Sequence, residues 1–139
     1  MAVSNLPIFP QAINLGLQSI TNGDGTTAKT IFTAGANGSK VETIEVSSTD
    51  TVNRDLQLFI TRSATNYLLA TVQVKVNSGN ANNVPSTNIL GSTQLPAIAT
   101  DANGNPTLFL KSGDTLTAAV TTAVTAGKQL AIIANGGDF

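Results

Sequence analysis

The side chains that could do acid–base chemistry in this sequence are its carboxylates, because it contains no histidine and no cysteine. Without those residue types, Ser–His and Cys–His nucleophilic schemes are excluded, as is a zinc site built on histidine or thiolate ligands. The aspartates stand mostly in turn-like sequence, where an aspartate normally accepts hydrogen bonds from nearby backbone. We therefore expect a protein that is not an enzyme and that has no catalytic residue, metal or cofactor.

Two other kinds of chemical site have weaker support in the sequence. Residues 101–105 (DANGN) and 22–25 (NGDG) place oxygen ligands somewhat as calcium loops do, but the later bidentate glutamate is missing, so turns are favoured. A paired-carboxylate glycosidase on a β-sandwich is conceivable. The chain has no tryptophan and one tyrosine to form a sugar platform, which counts against that reading.

The main signal in the composition is a deficit of charge. Charged residues make up 11% of the chain, against about 25% in an average protein, and the net charge is −1. The few lysines and arginines are scattered, so the concentrated basic face needed for nucleic acid is not predicted. A polar, nearly neutral surface tends to associate, which suits a subunit of a permanent assembly.

The sequence does not predict a membrane protein. The start, MAVSNLPIFPQAINLG, lacks the basic and apolar regions of a signal peptide, and no run approaches the roughly 20 apolar residues of a membrane span. We expect a chain that is made in the cytoplasm and makes no membrane contact.

The hydrophobic pattern predicts an all-β fold. About eight short segments show strand-like alternation and are separated by turn signals roughly every ten residues, which indicates a single-domain β-sandwich or barrel. The strand count allows a jelly roll without fixing the topology. Residues 13–20 alternate as a strand, and the apolar run 129–134 predicts a central strand buried on both faces.

Two further segments carry specific expectations. In residues 67–76, Leu68 is predicted to lie on the same face of a strand as Ala70 and the alternate valines 72, 74 and 76. Residues 77–106 form a long connection anchored by Ile89–Leu90 and Leu95, and connections of that length usually serve function or an interface.

The first twelve residues predict an extended N-terminal arm, because closely spaced prolines oppose a helix. We assign 1–12 to this arm and 13–139 to the β-sandwich domain. The apolar residues of the arm must be buried, either on their own domain or on a neighbouring subunit. Aromatic and apolar anchors dominate protein contacts. The predicted interaction residues are Leu6, Ile8, Phe9 and Phe139.

Turn-and-strand motifs over residues 27–139 resemble those of small structural proteins of tailed bacteriophages. The motifs are KTIFTAGANGSKV (29–41), IEVSSTD (44–50), NRDLQLFI (53–60), QLP (94–96) and LFLKSGD (108–114). Within that group, the chain is most similar to capsid decoration proteins, also called cement proteins.

This resemblance implies a virion component that binds the outer surface of a phage head and stabilises it. The implied partners are the major capsid protein and the chain itself, with a homotrimer favoured, and the implied location is the virion. The alternatives are a tail, baseplate or fibre component, or an adhesion module that binds a host surface. A major capsid protein is disfavoured, because the chain is short and lacks an α/β pattern.

Overall fold

Antiparallel β-strands make up the regular structure of this computed structural model, which describes residues 9–91 and 93–139. The only helical element in those residues is one 3₁₀ turn, Asn22–Asp24. The ten strands are β1 (Ala12–Thr21), β2 (Lys29–Thr33), β3 (Ser39–Ser48), β4 (Arg54–Arg62), β5 (Thr65–Val74), β6 (Thr87–Asn88), β7 (Ala99–Thr100), β8 (Pro106–Leu110), β9 (Thr115–Val120) and β10 (Gln129–Asp138).

The strands form two sheets that pack face to face. The first sheet has the order β1-β10-β3-β8-β7, with β6 also paired to β3, and the second has the order β2-β9-β4-β5. The chain therefore crosses repeatedly between the sheets, as in β1 to β2 to β3 to β4 and again in β8 to β9 to β10. The predicted all-β sandwich is confirmed, and the order of its eight longer strands is that of a jelly roll.

Alternate residues of both sheets supply the core. Ile44 and Val46 of β3 face Leu56 and Leu58 of β4, and all four side chains are fully buried. This alternation is the expected consequence of strand geometry, in which successive side chains point to opposite faces of the sheet. The strands predicted around these residues are confirmed.

The prediction for residues 129–134 is half right. β10 lies in the middle of its sheet, between β1 and β3, as expected for a central strand. Leu130 and Ile132 are buried, but Ile133 points away from the second sheet and is largely exposed. The prediction of burial on both faces is wrong, because each sheet of a two-layer sandwich has only one face against the core.

A β-bulge overturns the predicted facing of Leu68. Leu58 pairs with Ala70 whereas the next residue, Phe59, pairs with Leu68, so Leu69 is an extra residue in β5. The bulge inverts the alternation at this point. Leu69 therefore packs against the core, while Leu68 is exposed.

The long connection 77–106 is anchored as predicted. Ile89, Leu90 and Leu95 are all buried in the core. Two short strands, β6 and β7, tie the segment to β3 and β8 respectively.

A buried ion pair joins two connections at one end of the sandwich. Asp50, which is fully buried, accepts hydrogen bonds from Arg54 Nε (2.6 Å), Thr125 Oγ1 (2.6 Å) and the backbone N–H of Thr51 (2.6 Å). Burial alone would raise the pKa of Asp50, but these bonds outweigh it and hold the pKa well below its usual value. The carboxylate is therefore a structural link between the β3–β4 and β9–β10 connections.

We predict that Asp50→Asn lowers the free energy of unfolding at pH 7 by about 3–5 kcal/mol, because it leaves the buried guanidinium of Arg54 without its counter-charge. Because the pKa of Asp50 is lower in the folded state, its ionised carboxylate stabilises the wild type at pH values above the unfolded pKa of about 3.9. That stabilisation is lost as the pH falls toward the folded pKa. The difference in unfolding free energy between the two proteins should therefore narrow by about 1.4 kcal/mol per pH unit between the unfolded pKa and the folded pKa.

Urea unfolding at pH 7, 5 and 3 measures this gap, and the other carboxylates titrate equally in both proteins. A gap that stays constant down to pH 3 would contradict the assigned role of Asp50.

Candidate protein-interaction surface

Apart from Ile20, which is fully buried near the end of the strand, the apolar residues of β1 face away from the core. Ile13, Leu15 and Leu17 have exposed fractions of 88%, 52% and 65%, while Asn14, Gly16 and Gln18 between them point inward. β1 is the terminal strand of its sheet, so this arrangement places an apolar row along one margin of the sandwich. The strand was predicted from its period, but a period of two does not say which face is buried.

The inward residues of β1 are specified by contact with β2. Asn14 Nδ2 donates to the carbonyl oxygen of Thr33 (2.9 Å), and Gln18 Nε2 donates to that of Thr30 (3.0 Å). Between them the two backbones approach so closely that a Cβ on Gly16 would overlap the carbonyl oxygen of Ile31. A leucine or isoleucine cannot occupy that inner position, which fixes the apolar residues on the outside.

Asp138 strengthens this inner arrangement. Its carboxylate accepts hydrogen bonds from the Ser39 hydroxyl and from Asn14 Nδ2 (2.8 Å). These bonds lower the pKa of Asp138, with the Ser39 bond contributing most. The amide of Asn14 thus links β1 to both β2 and the end of β10.

β10 extends the apolar row. Leu17 is directly opposite Ile133, which is 47% exposed on the same outer face. We call Ile13, Leu15, Leu17 and Ile133 the outer apolar strip. Burying one such side chain completely contributes about 1.5–3 kcal/mol, so covering the strip with a partner would be favourable. Contiguous exposed apolar surface of this kind is typical of interaction sites.

The next strand borders the strip with polar side chains. On the outer face of β3, Thr43 lies opposite Asn135, Glu45 opposite Ile133, and Ser47 opposite Ala131. The strip is therefore apolar at the margin of the sheet and polar toward its centre.

None of the predicted interaction residues is a member of the strip as defined above. Leu6 and Ile8 lie outside the described residues. Phe9 is 69% exposed, and Phe139 stacks on Phe109 with ring centroids 6.4 Å apart and planes 18° apart. The role of all four in binding stays a prediction. The strip residues Ile13, Leu15, Leu17 and Ile133 were not predicted as interaction residues. The sequence carries one signal for them, the small and amide residues that alternate with the apolar residues of β1.

An open apolar groove of about 530 Å³ lies near the other margin of the first sheet. The bulge residue Leu69 forms one side, and Leu95, Ile98, Leu108 and Phe109 contribute most of the rest. None of the lining residues has an ionisable side chain. The groove could therefore bind an apolar group, but its lining provides no acidic or basic side chain.

Several carboxylates in the described parts of the chain are committed to local structure, whereas Glu42 and Glu45 are exposed on β3 and line a small polar cavity together with Asp101. Asp101 Oδ1 accepts hydrogen bonds from the backbone N–H groups of Asn103 (2.8 Å) and Asn105 (2.9 Å), so residues 101–105 form an ordinary aspartate turn. Asp114 pairs with Arg62 through two hydrogen bonds. Across residues 9–91 and 93–139, no three metal-binding side chains are grouped as a metal site would require.

Two solved structures are distantly similar to the chain. No protein-family model and no curated protein match the chain. One similar solved structure is the Drosophila NLP core, described for its pentamer formation and histone binding, with 8% identity, a TM-score of 0.44, and coverage of 88% of this chain and 97% of that one. Another is a chain of the cyanophage Pam1 capsid asymmetric unit, with 14% identity, a TM-score of 0.44, and coverage of 99% and 94%. Similarity this distant carries no argument about function.

Among the described residues, no helix has the length and apolar character needed to cross a membrane.

We predict that Gly16→Ala destabilises the fold by about 1–3 kcal/mol or more, because the added methyl group must displace the backbone of β2. Urea unfolding measures the effect. Gly23→Ala is the matched control, since a Cβ there has no heavy atom closer than 3.9 Å. Equal stability of the two variants would contradict the close approach of β1 to β2.

Proposed function

We propose that this chain is a non-enzymatic virion structural protein that decorates the outer surface of a phage head and stabilises it. The observation that carries the proposal is the outer apolar strip, which a protein acting alone would have no reason to keep exposed. The resemblance of residues 27–139 to tailed-phage structural proteins supports the same role. The partners in this proposal are the major capsid protein and further copies of the chain, arranged as a homotrimer.

The mechanism is mechanical clamping by many identical contacts. A single apolar contact of a few side chains is weak, but linked copies bind a repetitive surface with a combined strength far above that of each contact. Phe9 and the Phe109–Phe139 pair are candidate anchors to the shell, because they are aromatic, and Phe9 and Phe109 are exposed.

A non-enzymatic role is supported by where the ionisable groups lie. The sequence offers no histidine or cysteine, and Asp50, Asp114 and Asp138 are engaged in hydrogen bonds that hold connections together. These three carboxylates serve structure, so a general acid or base would have to come from Glu42 or Glu45, which line a polar cavity with Asp101.

The alternative is a tail, baseplate or fibre component, or an adhesion module that binds a host surface. One observation favours it: Tyr67, the only tyrosine of the chain, is exposed on β5 at the margin of the second sheet. An exposed aromatic ring is the usual platform for a sugar, although a single ring makes a weak one.

The test compares virus particles made with and without the chain. For a decoration protein, particles that lack it should release DNA at a lower temperature, measured by the fluorescence of a DNA-binding dye. Adding the purified chain back should restore the original release temperature, whereas adding heat-unfolded chain should not.

If particles that lack the chain release DNA at the same temperature but adsorb less well to host cells, the result would support the alternative. If the chain is absent from purified particles, both forms of the proposal are wrong.

A further inference from the structure

We infer that the outer apolar strip is a contact between copies of this chain, in which the strips of neighbouring copies pack against each other around the symmetry axis of a homo-oligomer. This deepens the proposed function by assigning a partner to the strip. The inference rests on that function only for its biological setting, because self-association is measured on the purified protein without capsids.

The position of the strip suits contact with a second copy. β1 is the terminal strand of its sheet, so the strip lies at the margin of the sandwich and not in the middle of a face. A second copy can approach this margin and place its own β1 beside the first. Pairing of the same patch on two subunits is a two-fold contact, whereas in the homotrimer proposed above three strips would meet at the three-fold axis.

The charge distribution also favours a second copy. β1 contains no charged residue, and the outward residues of β10 beside it, Ala131, Ile133 and Asn135, are neutral. The whole chain carries a net charge of −1, so two copies repel each other only weakly. A neutral apolar strip is therefore compatible with its own copy.

Joining two strips produces the usual layout of an interface. The apolar side chains of both copies would form the centre, and the β3 rows of Thr43, Glu45 and Ser47 would form a polar rim on each far side. The hydrogen bonds from Asn14 and Gln18 to β2 fix which face of β1 points outward, so the strip is already in place before the copies meet.

The experiment measures the mass of the full chain in solution by light scattering and sedimentation. The wild type should have a mass of at least twice the 14.2 kDa of one chain. Leu15→Glu should be folded but monomeric, because it places like charges together at the axis, and its association should be weaker by at least about a hundredfold. High salt should restore part of that association by screening the charges.

Leu68→Glu is the matched control. Leu68 also lies on a ten-residue terminal strand and is 56% exposed, against 52% for Leu15, but it belongs to the second sheet. This variant should remain as oligomeric as the wild type. Circular dichroism confirms that both variants keep the β-fold.

Two results would overturn the inference. One is a wild type that is monomeric at every concentration tested, and the other is a Leu15→Glu variant that associates as strongly as the wild type. If the wild type is monomeric and Leu15→Glu loses binding to particles that lack the chain, the strip belongs to the shell contact. In that case the decoration function stands while the self-contact is rejected.

Discussion

The close approach of β1 to β2 at Gly16 and Ile31 is the constraint on which the surface of this molecule depends. The two strands belong to different sheets, yet their backbones come so near that no side chain fits between them at Gly16. The amides of Asn14 and Gln18 fill the remaining space and satisfy carbonyl groups of β2. Since residues of a strand alternate between faces, the small and polar inner residues along 14–18 leave Ile13, Leu15 and Leu17 outside, while Ile20 beyond them is buried.

This arrangement reverses the usual relation between apolar side chains and the core. An ordinary edge strand of a sandwich buries its apolar face, and one slip in pairing would exchange its two faces. Here a slip would drive Leu15 or Leu17 into the backbone of β2 and leave the carbonyl groups of Thr30 and Thr33 without their amide donors. The exposed strip is therefore a specified feature of the fold, which is why we treat it as a binding surface.

Several charged groups support the framework, while others such as Glu45 lie exposed on the outer face of a sheet. Asp50 with Arg54, Asp114 with Arg62, and Asp138 with Ser39 each join segments far apart in the sequence or close a connection. Hydrogen bonds hold the pKa values of these three carboxyl groups low, so they remain charged and bonded at neutral pH. A framework fixed by such links can present apolar strips and grooves without losing its shape.

The sequence by itself determined the all-β class, the sandwich and most strand positions, because alternation and turn residues are local signals. It also identified Ile89, Leu90 and Leu95 as anchors and excluded histidine and cysteine chemistry. Only the tertiary structure decided the strand order, the bulge that exposes Leu68, and the outward face of Ile13, Leu15 and Leu17. These features depend on which strands meet and how closely. An alternating sequence looks the same whichever face of the strand is buried. Only the contact with β2 therefore decides which face of β1 points outward.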